Sequence, residues 1–166
     1  MEATLKYILH KKFSCIKISN QSVDVLDAFA DSFIIYILER LVIKRNLHDV
    51  VFELFPGELL KHITAQLTML EYRPSYGLTS LRSAECLTIE MKECPFEEKY
   101  KTNPLFNTYR PSIFYILTYL FHEILEVVGK MVDSQKKGTI TPKFIQKAID
   151  GDDELKVIWV IIMNHA

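Results

Sequence analysis

Apolar residues recur along this chain at three- and four-residue steps, the spacing of one buried helix face. Over residues 19–41 they fall at Val23, Leu26, Ala30, Phe33, Ile37 and Leu41. Ser19 or Asn20 can cap that helix, and Asp24 and Asp27 suit the positive end of its dipole. A shorter helix is expected before it over residues 3–13, with Leu5, Ile8 and Leu9 inward. Another is expected over 46–55, with Leu47, Val50, Val51 and Leu54 as its apolar face. Pro56-Gly57 breaks the chain, and helical spacing resumes from Glu58 to Met69.

The stretch EYRPSYGLTS (71–80) reads as a linker, because Pro74 and Gly77 punctuate it, and residues 81–109 are weakly patterned. From Pro111, placed at a helix start, one stripe runs through Ile113, Ile116, Leu117, Leu120, Ile124, Val127, Val128 and Met131. Thr139-Ile140-Thr141 is a short extended segment, after which Thr141 caps a helix with Pro142 at its first position. Phe144, Ile145, Ala148 and Ile149 face inward there. Asp152 can cap a last helix carrying Leu155, Ile158 and Trp159. The expected class is all-α, divided into residues 1–70, a linker at 71–80, and residues 81–166.

Composition agrees with that class. A chain of 166 residues suits one compact domain or two very small ones, and 49% apolar residues suffice for a core. Only 5 glycines and few alternating runs leave little room for strands. The apolar run Val157 to Met163 is too short to span a bilayer, and MEATLKYILHKK lacks the parts of a signal peptide. Cys15, Cys86 and Cys94 have no metal or redox spacing, so free thiols in a reducing compartment are expected. The net charge of −1 counts against a domain that lives on nucleic-acid electrostatics alone.

Each half reads as a short helix, a long helix, a shorter helix and an extra one. A long helix flanked by short ones cannot bury its own stripe, whereas two such units clasped across their long helices can. Within this pattern, IFYILTYLFHEILEVVGKMVDSQKKGTITPKFIQKAIDGDDEL resembles the central helix, second loop, third helix and acidic turn of histone 2A, without a gap from Thr118 to Leu155. In the first half, KYILHKKFSCIKIS is similar to the first helix and loop of histone 2B, and LFPGELLKH (54–62) to the run before its C-terminal helix. The order of the two resembles the fused histone 2B–histone 2A doublets of large DNA viruses that infect amoebae. ILERLVIKRNLHDVVFELFPGEL is shorter than the matching stretch of that family.

The resemblance implies two histone folds forming an intramolecular heterodimer, with the second loop of one half beside the first loop of the other and both facing DNA. Candidate phosphate contacts are then Lys136, Lys137 and Thr139 in the second loop, and Lys17 and Ser19 in the first. Lys99, Lys101 and Arg110 precede the second long helix. Thr139 occupies the place where the family has an arginine that enters the minor groove. Outside the resemblance, paired lysines in a turn are more often simply solvated.

The resemblance also implies an acidic patch that binds arginine anchors of partner proteins, built here from Glu58, Glu123, Glu126, Asp152, Asp153 and Glu154. Thr118 and Gln66 stand where that patch is usually acidic. His122 with Glu123 and Glu126 makes H-E-x-x-E, which is not the zinc-protease string, and no nucleophile–base pair or phosphate-cradling loop is present. The expectation is therefore no enzyme, no metal, no cofactor, no membrane and no small-molecule substrate. Near-neutrality fits a globular core whose basic tails are missing. Expected partners are double-stranded DNA, a histone 4–histone 3 doublet and arginine-anchored proteins, in the virion and in the viral factory or nucleus of the infected cell. The alternative is a histone-fold interaction module, chaperone-like or part of a transcription complex, that does not wrap DNA.

Overall fold

The computed structural model describes residues 1–71 and 95–165. The order is α1 (Glu2–Lys12), β1 (Lys17–Ile18), α2 (Asn20–Lys44), α3 (Leu47–Leu54), α4 (Gly57–Glu71), α5 (Pro95–Tyr100), α6 (Pro104–Ser134), β2 (Thr139–Ile140), α7 (Pro142–Asp150) and α8 (Asp153–Met163). The protein is all-α in class, with only two-residue strands among the described residues. Residues 72–80 of the linker expected at 71–80, and residues 81–94 of the weakly patterned stretch 81–109, lie outside the described residues, as do Cys86 and Cys94.

Two compact units result, one drawn from both ends of the sequence and the other a continuous middle segment. The first comprises residues 1–36 and 119–166, and the second residues 37–118.

In the first unit, α1 turns Leu5, Ile8 and Leu9 into the core, together with Leu26, Phe29 and Phe33 of α2 and Leu120, Phe121 and Ile124 of α6. Strands β1 and β2 pair in parallel, with Lys17 opposite Thr139 and Ile18 opposite Ile140. The two-residue period puts both isoleucines in the core and both polar partners in solvent. Phe29 and Trp159 stack with ring centroids 4.5 Å apart and planes 5° from parallel, which fixes α8 on α2.

The second unit is built on the end of α2, with α3, α4, α5 and the beginning of α6. Leu47, Val50, Val51 and Leu54 bury one face of α3, and Ile63 and Leu67 extend that core along α4. Asn46 caps α3, its side-chain oxygen accepting from the His48 amide at 2.8 Å. Gly57 opens α4 at φ 49°, a conformation that a Cβ would disfavour. Glu53 on α3 is ion-paired to Arg40 and Lys44 of α2, at 3.7 and 3.0 Å.

Several expectations change. The first long helix runs on to Lys44, and only a two-residue turn at Arg45-Asn46 separates it from the short α3. Pro111 does not start the second long helix but lies inside α6. That helix begins at Pro104, because the Asn103 side chain accepts from the Leu105 and Phe106 amides at 2.9 and 3.1 Å. Thr141 stands at the N-cap of α7 without a side-chain cap bond. Val127, Met131 and Phe144 are only half-buried. Helix α6 is long and apolar enough to cross a membrane by length and composition, yet 56% of that apolar window is buried inside the protein, as in a core helix.

Candidate nucleic-acid interface

Four backbone features of the first unit converge at the β1–β2 pair. The Lys17 amide donates to the Gly138 carbonyl at 2.9 Å, and the Ser19 amide donates to the Ile140 carbonyl at 3.0 Å. Helix α2 begins one residue after Ser19, and the Ser22 amide donates back to the Ser19 hydroxyl at 3.2 Å. Helix α6 ends in a left-handed turn at Lys136, with φ 52°. In that turn the Lys136 amide donates to Asp133 and the Lys137 amide to Val132, both at 2.9 Å. A non-glycine residue held at positive φ is strained, and the two helix-ending bonds hold it there.

Exposed cations therefore sit on β1 and in the turn just before β2. Lys17, Lys136, Lys137 and Thr139 are exposed, and Ser19 is half-buried. The Ser19 hydroxyl is a helix cap that also shares a 2.9 Å hydrogen bond with the Ser22 hydroxyl, so its local duty is structural. Lysine ammonium groups on such a surface meet phosphate oxygens as mobile point charges.

The remaining candidate cations belong to the second unit. Lys99 lies over the Tyr100 ring at 5.3 Å, Lys101 is ion-paired with Glu98, and Arg110 is half-buried on α6. Each of these already has an engagement within the protein.

The carboxylates divide in the same way. Glu58, in the second unit, is exposed and ion-paired with Lys61, whose hydrogen bond and charge lower its pKa. In the first unit, Glu126 of α6 accepts hydrogen bonds from Lys12 and Lys130 that bring its pKa down to about 2. Lys130 is 2.8 Å away, one helical turn on, and Lys12 reaches across from the end of α1. Glu123 is half-buried and Asp153 exposed. Asp152 caps α8, its Oδ1 accepting from the Glu154 and Leu155 amides at 3.1 and 3.0 Å, and Glu154 is half-buried. Asp150 accepts from the Gln146 side chain at 3.0 Å. The acidic turn is thus partly helix-capping chemistry, and Glu126 is partly neutralised from inside the chain.

His122 is half-buried within electrostatic reach of Lys11, Lys12 and Glu126. Burial lowers its pKa first, and the Lys11 and Lys12 charges lower it further, while Glu126 acts in the opposite direction. Among the described residues, no group of three His, Cys, Asp or Glu side chains is placed to hold a metal ion.

Two residues escaped the sequence reading. Ser22, fully buried, donates its hydroxyl to the Ile140 carbonyl at 3.1 Å and ties α2 to β2. Lys12 holds Glu126 from 114 positions away. The Glu126–Lys130 spacing of four was readable as a helix pair, but nothing local announces the Lys12 contact. Compared with known proteins, the chain matches no protein-family model and no curated protein.

Proposed function

We propose that this chain is a structural chromatin protein, a fused histone 2B–histone 2A-like doublet that packages DNA in a nucleosome-like particle with a histone 4–histone 3 doublet. The observation that carries the reading is the parallel pairing of Lys17–Ile18 with Thr139–Ile140. It joins the loop after the first short helix to the loop after the second long helix, and it presents Lys17, Lys136 and Lys137 together on the surface. Cations there neutralise backbone phosphates without reading bases, as packaging requires. Fusing both halves in one chain makes their pairing intramolecular and fixes their ratio at one to one. In this reading the acidic residues Glu123, Asp153 and Glu154 receive arginine anchors of partner proteins, and the protein acts in the virion and the viral factory or nucleus.

A second reading, a histone-fold interaction module that does not wrap DNA, is favoured by the net charge of −1 and by Thr139 at the minor-groove position. Reconstitution with a histone 4–histone 3 doublet and DNA, followed by nuclease digestion, separates the two. Packaging gives a discrete protected fragment that depends on this chain. Protection no greater than the partner doublet gives alone would leave the interaction module as the better account.

A further inference from the structure

Helix α7 carries two lysines in a placement that its own stability opposes. Its inward face is Ile145, Ala148 and Ile149. By three- and four-residue spacing the opposite face is Lys143, Gln146, Lys147 and Asp150, and all four are exposed. Lys143 lies in the first turn, at the positive end of the helix dipole, where no acidic residue offsets it. Lys147 follows four residues later, so like charges stand one above the other. The carboxylate of that face, Asp150, accepts from the Gln146 side chain at 3.0 Å. By contrast, Lys6, Lys61 and Lys130 each pair with an acid one turn away on their own helices. Among the described residues, no carboxylate is ion-paired with Lys143 or Lys147.

The row continues the cations that come before it in the chain. Residues 134–149 hold four lysines and no carboxylate. Thr139 and Lys143 are four residues apart, so at most about 14 Å of chain separates the β1–β2 surface from the row. Lys147 stands about 6 Å further along the helix axis, and all these residues belong to the first unit. Unpaired cations that run on from a turn to a helix face suit an anion that runs on as well, and a duplex backbone is one. We propose that Lys143 and Lys147 extend the phosphate-binding surface along α7, each meeting a backbone phosphate beyond those met at the β1–β2 pair. The proposal rests on the DNA-packaging reading and adds to it a helix face outside the strand pair.

The test is titration of the full chain onto a DNA duplex at several salt concentrations. Four proteins are compared: the parent, Lys143→Gln with Lys147→Gln, Lys136→Ala with Lys137→Ala, and Lys156→Gln. Lys156 is an exposed lysine of α8 in the same unit, so its variant measures the loss of one charge outside the row. The glutamine pair should lower the slope of log affinity against log salt by about 2 on any sequence, and Lys156→Gln should leave it unchanged. The thermal midpoint of the glutamine pair should hold or rise, because the like-charge contact on α7 is gone. Weaker binding without weaker folding is the signature of a ligand contact. A glutamine pair that binds like the parent, while the loop variant weakens, would overturn this proposal alone and leave the row to an acidic protein surface. A fall in its thermal midpoint, or a slope change in Lys156→Gln half as large as that of the pair, would overturn it too. A parent that binds no duplex would overturn the packaging reading and this proposal with it.

Discussion

Ser22, in the first turn of α2, donates its hydroxyl to the carbonyl of Ile140 at 3.1 Å, across 118 positions of sequence. The same carbonyl accepts the Ser19 amide at 3.0 Å. One oxygen of β2 therefore receives both the residue that caps α2 and the residue one turn beyond it. The start of the first long helix and the extended segment after the second are a single hydrogen-bonded unit, and the candidate phosphate-binding lysines hang from it.

Replacing Ser22 by Ala removes one of the two donors to that carbonyl without orphaning it. It also removes the bond between the Ser19 and Ser22 hydroxyls, so at about 0.5–1.5 kcal/mol for each hydrogen bond the expected cost is about 1–3 kcal/mol. Because the Ser19 amide still holds the ladder, hydrogen exchange of the Lys17 and Ser19 amides should quicken only modestly. Their complete loss of protection would show that the serine, and not the strand pairing, holds the loops together.

Gly129 is the glycine of the HEILEVVG run, and a Cβ there would stand 2.4 Å from the Phe13 ring. Helix propensity alone favours Gly129→Ala by about 1 kcal/mol. Overpacking opposes it by roughly 1–3 kcal/mol, with the half-buried ring forced outward, so the net change should be destabilising. Denaturant titration decides the sign. A more stable alanine variant would mean that the ring swings aside at no cost, and Phe13→Ala combined with Gly129→Ala should recover part of any loss.

Helix faces were legible in the sequence because burial repeats with the helix period, so Leu47, Val50, Val51 and Leu54 could be read off directly. The start of α6 was misplaced because Asn103-Pro104 and Pro111 are the same kind of start signal, and the stretch between them carries a short apolar set that includes Leu105 and Phe106. Proline tolerated inside a helix is a tertiary outcome that a local rule cannot foresee. The cap expected of Asp152 is present because an Asx side chain needs only its own next residues. The Lys12–Glu126 clamp and the Ser22–Ile140 bond depend on chain segments more than a hundred positions apart, and periodicity carries no information about those. The candidate cations were legible as types. That Lys17 pairs with Thr139 while Lys101 is taken by Glu98 was not.

The Lys12 and Lys130 hydrogen bonds hold the Glu126 carboxyl at about 2, below its ordinary 4.5. A depressed carboxylate stabilises the fold above its unfolded pKa, and that contribution is lost as pH falls from about 4.5 through about 2. Lys12→Ala removes the largest cause, so the Glu126 pKa should rise and the acid loss should begin at higher pH. Since Lys12 is 45% exposed, solvent screening limits the effect at neutral pH to about 0.2–1 kcal/mol. His122 adds a separate window, because burial favours its neutral form and its contribution declines as pH drops below about 6.5. A carboxyl-carbon titration by NMR, in the parent and in Lys12→Ala, checks the first. An unmoved Glu126 midpoint would mean that Lys12 is not its principal partner in solution.

Lys136→Ala combined with Lys137→Ala should weaken DNA binding alike for all sequences, since phosphate contacts carry no base information. Each lost contact should lower the slope of log affinity against log salt by about 1. Lys17→Ala, on the paired strand, should act in the same direction. Titrations at several salt concentrations on two unrelated DNA sequences test this. Unchanged affinity at physiological salt would remove the β1–β2 surface from the DNA contacts.

Trp159 is the one tryptophan of the chain, and its stack on Phe29 makes it a reporter of the first unit. That unit draws its core from both ends of the sequence, with Leu26 and Phe29 of α2 buried alongside Leu120 and Ile124 of α6. Leu120 is fully buried, so Leu120→Ala should cost roughly 2–5 kcal/mol, depending on how far the cavity collapses. Tryptophan fluorescence and helical circular dichroism should change together on heating, because α2 and α6 each contribute residues to both units. A fragment ending at residue 71 keeps β1 without β2 and Phe29 without Trp159. It should be unfolded or aggregate through the face of α2 that those partners cover. A soluble, cooperatively melting monomer of that fragment would show that the first part of the chain folds on its own, and the case for two halves that complete each other would fail.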